Sequence, residues 1–437
     1  MNIIIAGAGR VGFRLARTLS PKNNVVIMDQ NEEALSKLSD SIDALTICAN
    51  IENPRGYEGL KGKAYDFFIA VTDTDEINLI GSLIVDEKIN VKRKIIRLKN
   101  QFFATSSIAS KIGITDAVFP FSMVGQSVKS LIQYPCASNV KGLKNITCKL
   151  ISAKATVPEG ESLPMETFAS NSVKIVGIDR QKKFFIPDSR DKIENNDTVY
   201  FFGEPEAINQ FTPYLNPSYC KKIKYVVIFG AHTLGIEIAK ALIECNMRIK
   251  IIEKDIHLCM YASQLLQDNV TVINSKYGDF RLFEEEGLGS ADMIIAATPN
   301  DNENIVKCVE ARELGVNRVV AINNDIEHYQ LMHTLGIIAL RGPKMNAFYA
   351  IMEIINSNKK VEERLFCGGA AICLMQKFDI GSPVPKLNNQ VDMFSFYLQG
   401  SSIILDSDHL NPQVSFSVII FTARKNEEGA RKWINML

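Results

Sequence analysis

Residues 2–12 read NIIIAGAGRVG, and residues 225–235 read YVVIFGAHTLG. Each is an apolar run ending in a glycine turn that opens a helix-period segment, the order expected where a buried parallel strand runs into a helix. The first turn passes from Gly7 through Ala8, Gly9, Arg10 and Val11 to Gly12, with G-x-G-x-x-G spacing. In such a turn the first glycine permits the bend, the second lets backbone approach a pyrophosphate, and the third lets the helix sit close to the sheet. Unpaired N–H groups at the helix start then face the phosphates. The second turn, Gly230, Ala231, His232, Thr233 and Leu234, carries histidine where the close-approach glycine stands. An imidazole there crowds a pyrophosphate, so the same ligand is expected to bind more weakly or differently in the second half.

Reading forward from each opening gives the same order of segments. In the first half VVIMD, FFIAVT, DTDEINL and RKIIRLKN follow; in the second, IKIIEKD, MIIAAT, PNDNENI and NRVVAINN. Gly7/Gly230, Gly113/Gly336 and Pro120/Pro343 share an offset of 223, and Thr72/Thr298, Asp75/Asp301 and Asn78/Asn304 share one of 226. Matched punctuation of this kind points to an internal duplication. Short β-branched runs alternate with helix-period segments in both halves, which argues for βαβ units and a parallel sheet. The expected fold is α/β: two Rossmann-type domains at 1–135 and 223–357, each followed by a small α+β domain, at 141–213 and 360–437. The two prolines of TPYLNPSYCKK (212–222) mark a linker into the second half.

Composition narrows the function. Lys+Arg and Asp+Glu both number 49, so no global charge draws the chain to nucleic acid. Apolar runs are strand-sized, well below the roughly eighteen residues of a membrane span, and no basic leader precedes the first of them, which predicts a cytoplasmic protein. The nine cysteines form no C-x-x-C pair and the five histidines no metal-ligand spacing, so buried free thiols and no metal site are expected.

Asp29 ends the second apolar run, about twenty residues past the turn, where a carboxylate accepts hydrogen bonds from both ribose hydroxyls and disfavours a 2′-phosphate. Thr72 and Asp73 follow FFIAV at a strand's carboxyl end, the edge at which open α/β sheets bind ligands. Asp75 and Asn78, just beyond, have the character of caps for the next helix. Arg97 ends KIIRL and offers a planar donor fork to phosphate. In the second half Glu253 keeps the acidic ribose position, Thr298 matches Thr72, Asp279 stands for Asn50, and Asn323 stands near the place of Arg97, removing a charge.

IIIAGAGRVG, VVIMD, AVTDTDEINL and IIRLKN, followed by IPDSRDKIENNDTVYFFGE, together resemble the regulator-of-potassium-conductance family. The resemblance covers nearly the whole chain and is thin after residue 360. It implies a non-catalytic protein that binds NAD(H), or ATP or ADP, and changes the conductance of a separate membrane potassium-translocating subunit. Gly7, Gly9, Gly12 and Asp29 would hold the dinucleotide, with Thr72, Asp73 and Arg97 lining the cleft. The family forms rings of Rossmann domains, implying a homodimer or homotetramer for a duplicated chain. Ala49, where the family commonly has glycine, is a departure. The alternative is an NAD-dependent oxidoreductase, which needs a proton-transferring His, Lys or Tyr beside the hydride; the first 231 residues contain no histidine.

Overall fold

In a computed structural model, the described residues are 1–158, 160–216, 221–277, 280–325, 327–357, 360–387, 393–411 and 413–437. The first opening folds as β1 (Asn2–Ala6) and α1 (Arg10–Leu19), followed by β2 (Asn24–Asp29), α2 (Glu32–Ser39), β3 (Leu45–Cys48), β4 (Ala64–Ala70), α3 (Asp75–Lys88) and β5 (Asn90–Arg97). Short helices α4 (Phe102–Thr105) and α5 (Ile108–Lys111), strand β6 (Asp116–Val118) and helix α6 (Pro120–Gln133) complete the series. The six strands form one parallel sheet in the order β3-β2-β1-β4-β5-β6. Strand order reverses between β1 and β4, and there the carboxyl ends leave a crevice beside the glycine turn. The second half repeats this order from Thr271–Asn274 through Tyr225–Phe229 to Ile338–Arg341.

Contacts divide the chain into two units, one of Met1–Gln126, Val226–Gly315 and Val319–Ile355, the other of Ser127–Tyr225, Val316–Arg318 and Asn356–Leu437. The first unit therefore holds both Rossmann sheets, and their last helices are exchanged. Helix Pro343–Ile355, which follows the second sheet's final strand, buries Ala347, Phe348, Ile351 and Ile355 in the cluster built by Leu15, Ala16 and Leu19 of α1. Arg14 of α1 lies 5.5 Å over the Phe348 ring. Reciprocally, α6 brings Gly125 so close to helix Thr233–Ile243 that a Cβ would meet the Glu237 carbonyl oxygen at 2.9 Å. Full burial of side chains such as Phe348 and Ile351 contributes about 1.5–3 kcal/mol each, so the exchange is a principal cohesion of this unit.

The second unit contains two five-stranded antiparallel sheets. Lys149–Lys154, Val173–Arg180 and Thr198–Gly203 form the centre of one; Ala371–Phe378, Met393–Gln399 and Phe416–Ala423 form the centre of the other. Tyr200 and Phe202 meet Phe366, Phe396 and Phe421 in a shared aromatic core.

Two expectations need correction. The segment read as a linker from residue 212 is still helical as far as Leu215, with Pro213 inside helix Pro205–Leu215. Cys136 is disulfide-bonded rather than free, and Cys48 is an exposed thiol rather than a buried one. Among the described residues, no helix is long and apolar enough to cross a membrane, and no three His, Cys, Asp or Glu side chains are grouped to hold a metal.

Candidate functional site

The glycine turn after β1 does three different jobs. Gly7 has φ +110°, a region that L side chains rarely adopt, and a Cβ there would lie 3.1 Å from the Thr72 nitrogen. At Gly12 an added Cβ would be 1.8 Å from the Gly7 carbonyl oxygen, so this glycine is required by helix-on-strand packing. Gly9 differs from both: it has extended backbone (φ −66°, ψ −174°), and a Cβ there would meet nothing within 4 Å. The chain itself does not need glycine at position 9; the open space faces the crevice.

That crevice is a cavity lined by Gly7, Gly9, Arg10, Val11, Asp29, Gln30, Asn50, Ile51, Val71, Thr72, Asp73, Thr74, Ile77, Arg97 and Lys344. It brings together the first-half residues named from sequence, with two exceptions: Ala8 and Gly12 are structural members of the turn. Asp29, half-buried at the end of β2, accepts the Ala8 N–H at 2.6 Å and the Asn31 N–H at 2.9 Å, which fixes its carboxylate at the cavity wall. Arg97, 4% exposed, donates from Nη1 to Asp73 at 3.0 Å, while its buried Nε has no partner.

Asp75 and Asn78 are not helix caps. Asn78, fully buried, accepts the Thr72 N–H (3.0 Å) and hydroxyl (2.7 Å) and donates to the Arg97 carbonyl (2.8 Å), tying the ends of β4 and β5 together. Asn304 makes the same set with Thr298 and the Ile322 carbonyl. Asp75 accepts the N–H groups of Lys99 and Asn100 beyond β5. The repeated Thr, Asp and Asn of the sequence are thus the frame of each crevice, and Thr72 offers its hydroxyl to this frame before any ligand.

Lys344 was not found from sequence, because it belongs to the second half and arrives only through the exchanged helix. Its backbone N–H is held by Asn324 Oδ1 at 3.0 Å. Burial, and then the charges of Arg10 and Arg97, pull its ammonium pKa down against Asp73 and Asp301.

The second half's crevice is lined by Arg10, His232, Lys254, Tyr277, Thr298, Pro299, Asn300, Asp301, Asn302, Glu303, Asp325 and His328. Gly230, Ala231, Thr233 and Leu234 form its turn without lining it, and Gly230 repeats the φ of Gly7 at +108°. Glu253, expected to face a ribose, is turned inward and only 1% exposed. It accepts the Ala231 N–H and Tyr277 hydroxyl on Oε2, both at 2.8 Å, and the Lys254 and Asp255 N–H groups on Oε1 at 2.8 and 3.0 Å. Burial opposes its ionisation, but these backbone bonds and the Tyr277 hydroxyl outweigh it and hold the carboxyl below its usual range. Strand pairing matches Asp29 with Cys48 and Glu253 with Asn274, so the acid-bearing strands of the two halves keep equivalent registers. Asp279 itself lies outside the described residues. Asn323 is fully buried and off the cavity wall, and among the described residues no cation takes the place of Arg97 there.

Two duplicated parallel α/β sheets, each with a glycine turn at the switch point and only the first with the acid that ends its second strand on the cavity wall, define a protein of the doubled Rossmann type. The chain belongs to the TrkA family: the model described as the TrkA-N domain matches residues 3–120 and 226–340, and that of the TrkA-C domain matches residues 161–216. It is similar to Trk system potassium uptake protein trkA homolog 1 of Methanosarcina mazei, 27% identical over 357 residues, 79% of this chain and 86% of that one. Similarity to Trk system potassium uptake protein TrkA of Vibrio alginolyticus is 27% over 332 residues, 74% of this chain and 72% of that one. Among solved structures, the GsuK channel bound to NAD has TM-score 0.62 at 14% identity, covering 100% of this chain and 79% of that one. GsuK bound to ADP has TM-score 0.53 at 14% identity, covering 82% and 70%. At such identities these structures establish the fold.

Proposed function

We propose that this chain is a regulatory subunit that binds NAD(H) or an adenine nucleotide in the first-half crevice and thereby gates a membrane potassium transporter of the Trk type. It acts at the inner face of the membrane through that partner, as a homodimer or homotetramer. The observation that carries the reading is Gly9, whose missing side chain leaves open space at the crevice, with Asp29 fixed beside it and Arg97 behind. Gly7, Gly9, Arg10 and Asp29 hold the pyrophosphate and ribose, and Asn50, Thr72, Asp73 and Arg97 line the rest. Relatives named as potassium uptake proteins and a similar fold bound to NAD and to ADP support it. Gating requires that nucleotide bind two conformations unequally; a difference of about 1–3 kcal/mol suffices to shift the population usefully.

Calorimetric titration of the purified chain with NADH, NAD⁺, ATP and ADP tests the reading, with Asp29→Ala beside the wild type. Binding that Asp29→Ala weakens is the expected result. No binding to any of the four, or turnover of a carbonyl panel with NADH, would overturn it, the second in favour of an oxidoreductase.

A further inference from the structure

The glycine turn accounts for a pyrophosphate and Asp29 for a ribose, but neither accounts for the basic side chains of Arg97 and Lys344 in the same crevice. Three cations line it: Arg10, Arg97 and Lys344. Arg97 is matched by Asp73 at 3.0 Å. Among the described residues, the side chains of Arg10 and Lys344 form no ion pair, and Lys344 is half-buried. Asp29 and Asp73 share this wall, and Asp73 and Asp301 act on Lys344 from nearby, but neither forms an ion pair with it; a half-buried ammonium left without a paired anion costs free energy that a bound anion recovers. The depressed basicity of Lys344 records that cost, and burial is its leading cause.

We propose that Lys344, supplied by the second half of the chain, is a ligand of the first-half crevice for a phosphate beyond the pyrophosphate and makes it favour nucleoside triphosphates over a dinucleotide. The proposal rests on the nucleotide reading of that crevice and adds its charge selectivity. In a dinucleotide the chain beyond the pyrophosphate is a nicotinamide riboside, which in NAD⁺ is itself cationic and gains nothing from Arg97 and Lys344. The terminal phosphate of ATP has the opposite charge and suits them. An ammonium presents a compact point charge with three donors, the kind of group that P-loops also use toward terminal phosphates.

The clasp works in one direction only. Helix Pro343–Ile355 is anchored on α1 by Phe348 and Ile351, yet the N–H of Lys344 is held by Asn324 of the second half. A phosphate that draws Lys344 inward therefore pulls on both Rossmann domains. At the repeat offset of 223 the reciprocal position is Phe121, which carries no charge. The second crevice receives Arg10 instead and sets it among Asp301, Glu303 and Asp325.

The test is calorimetric titration of the full chain with ATP, NAD⁺ and AMP, comparing wild type, Lys344→Gln, Lys344→Arg and Asp29→Ala. Lys344→Gln is expected to weaken ATP about tenfold, the scale of one charge-assisted hydrogen bond, leaving AMP and NAD⁺ within about twofold, and Lys344→Arg is expected to retain most of the ATP affinity. ATP affinity unchanged in Lys344→Gln, or an equal loss for all three ligands, overturns the assignment while Asp29→Ala still reports on the crevice itself. Wild-type protein that binds none of the three overturns the nucleotide reading and this inference together.

Discussion

Gly9 and His232 hold the same backbone conformation at equivalent points of the two turns, φ −66°, ψ −174° and φ −65°, ψ 174°. A side chain at this place is therefore compatible with the fold, and the two halves differ in what the turn leaves open. Gly9→Ser should leave the thermal midpoint within about 2 °C of wild type while weakening nucleotide binding at least tenfold. Surface substitutions away from special geometry usually change stability by less than about 0.5 kcal/mol. Gly12→Ala should do the reverse damage, lowering the midpoint by several degrees because its Cβ meets backbone at 1.8 Å. Differential scanning fluorimetry beside calorimetry reads both; a Gly9→Ser protein that melts early would show the glycine to be structural.

Glu253 makes a pH prediction. Its folded pKa lies below the ordinary 4.5, so it contributes stability that is present above that value and is lost as pH falls through the lower folded value. Urea midpoints of the wild type should therefore fall as the pH drops below about 4.5, where the unfolded chain's carboxyl takes up its proton before the folded one does. Glu253→Gln should be less stable at pH 7, since an amide cannot accept on both atoms, and its stability should fall less steeply over the acidic range. A parallel decline of the two proteins would remove Glu253 as the cause.

Much of the architecture was readable from the chain because it is written locally. Alternating β-branched runs, the glycine turns and the shared offsets specify two parallel sheets without reference to distant contacts. What was not readable is non-local. Asp29 and Glu253 look alike in sequence, and the difference is made by Tyr277, whose hydroxyl takes up the second carboxylate. Asn78 resembles a cap because it stands in the first turn of α3, but its partners are the ends of two strands. Periodicity shows that helix Pro343–Ile355 has an apolar face; it does not say that the other half's α1 will cover it, and so Lys344 could not be placed.

Thiol reactivity should follow burial. Burial and then Glu204 push the Cys148 thiol up to about 11, and burial and then Asp179 push Cys367 up to about 12, so almost no thiolate exists on either near neutral pH. Maleimide at pH 7.5 should label exposed Cys48 first and leave Cys148 and Cys367 unmodified until denaturant is added. Peptide mapping of the native protein checks the order; early modification of Cys367 would contradict its placement.

The exchanged helices tie the stability of each Rossmann domain to residues of the other half. Ile351 is fully buried in the cluster formed with Leu15, Ala16 and Ile27 of the first half. Ile351→Ala should cost about 2–5 kcal/mol, the usual range for truncating a buried aliphatic side chain to alanine. If Ile351 acted only within its own half, the loss of protection would appear in the second sheet. The packing on α1 predicts otherwise: hydrogen exchange should accelerate in α1 and in helix Pro343–Ile355, while the strand Tyr225–Phe229 stays protected. Because this helix also delivers Lys344 to the first crevice, the same substitution should weaken ATP binding without touching any residue of the glycine turn. A variant that loses stability but exchanges fastest in the second sheet would refute the exchange of helices as the link between the halves.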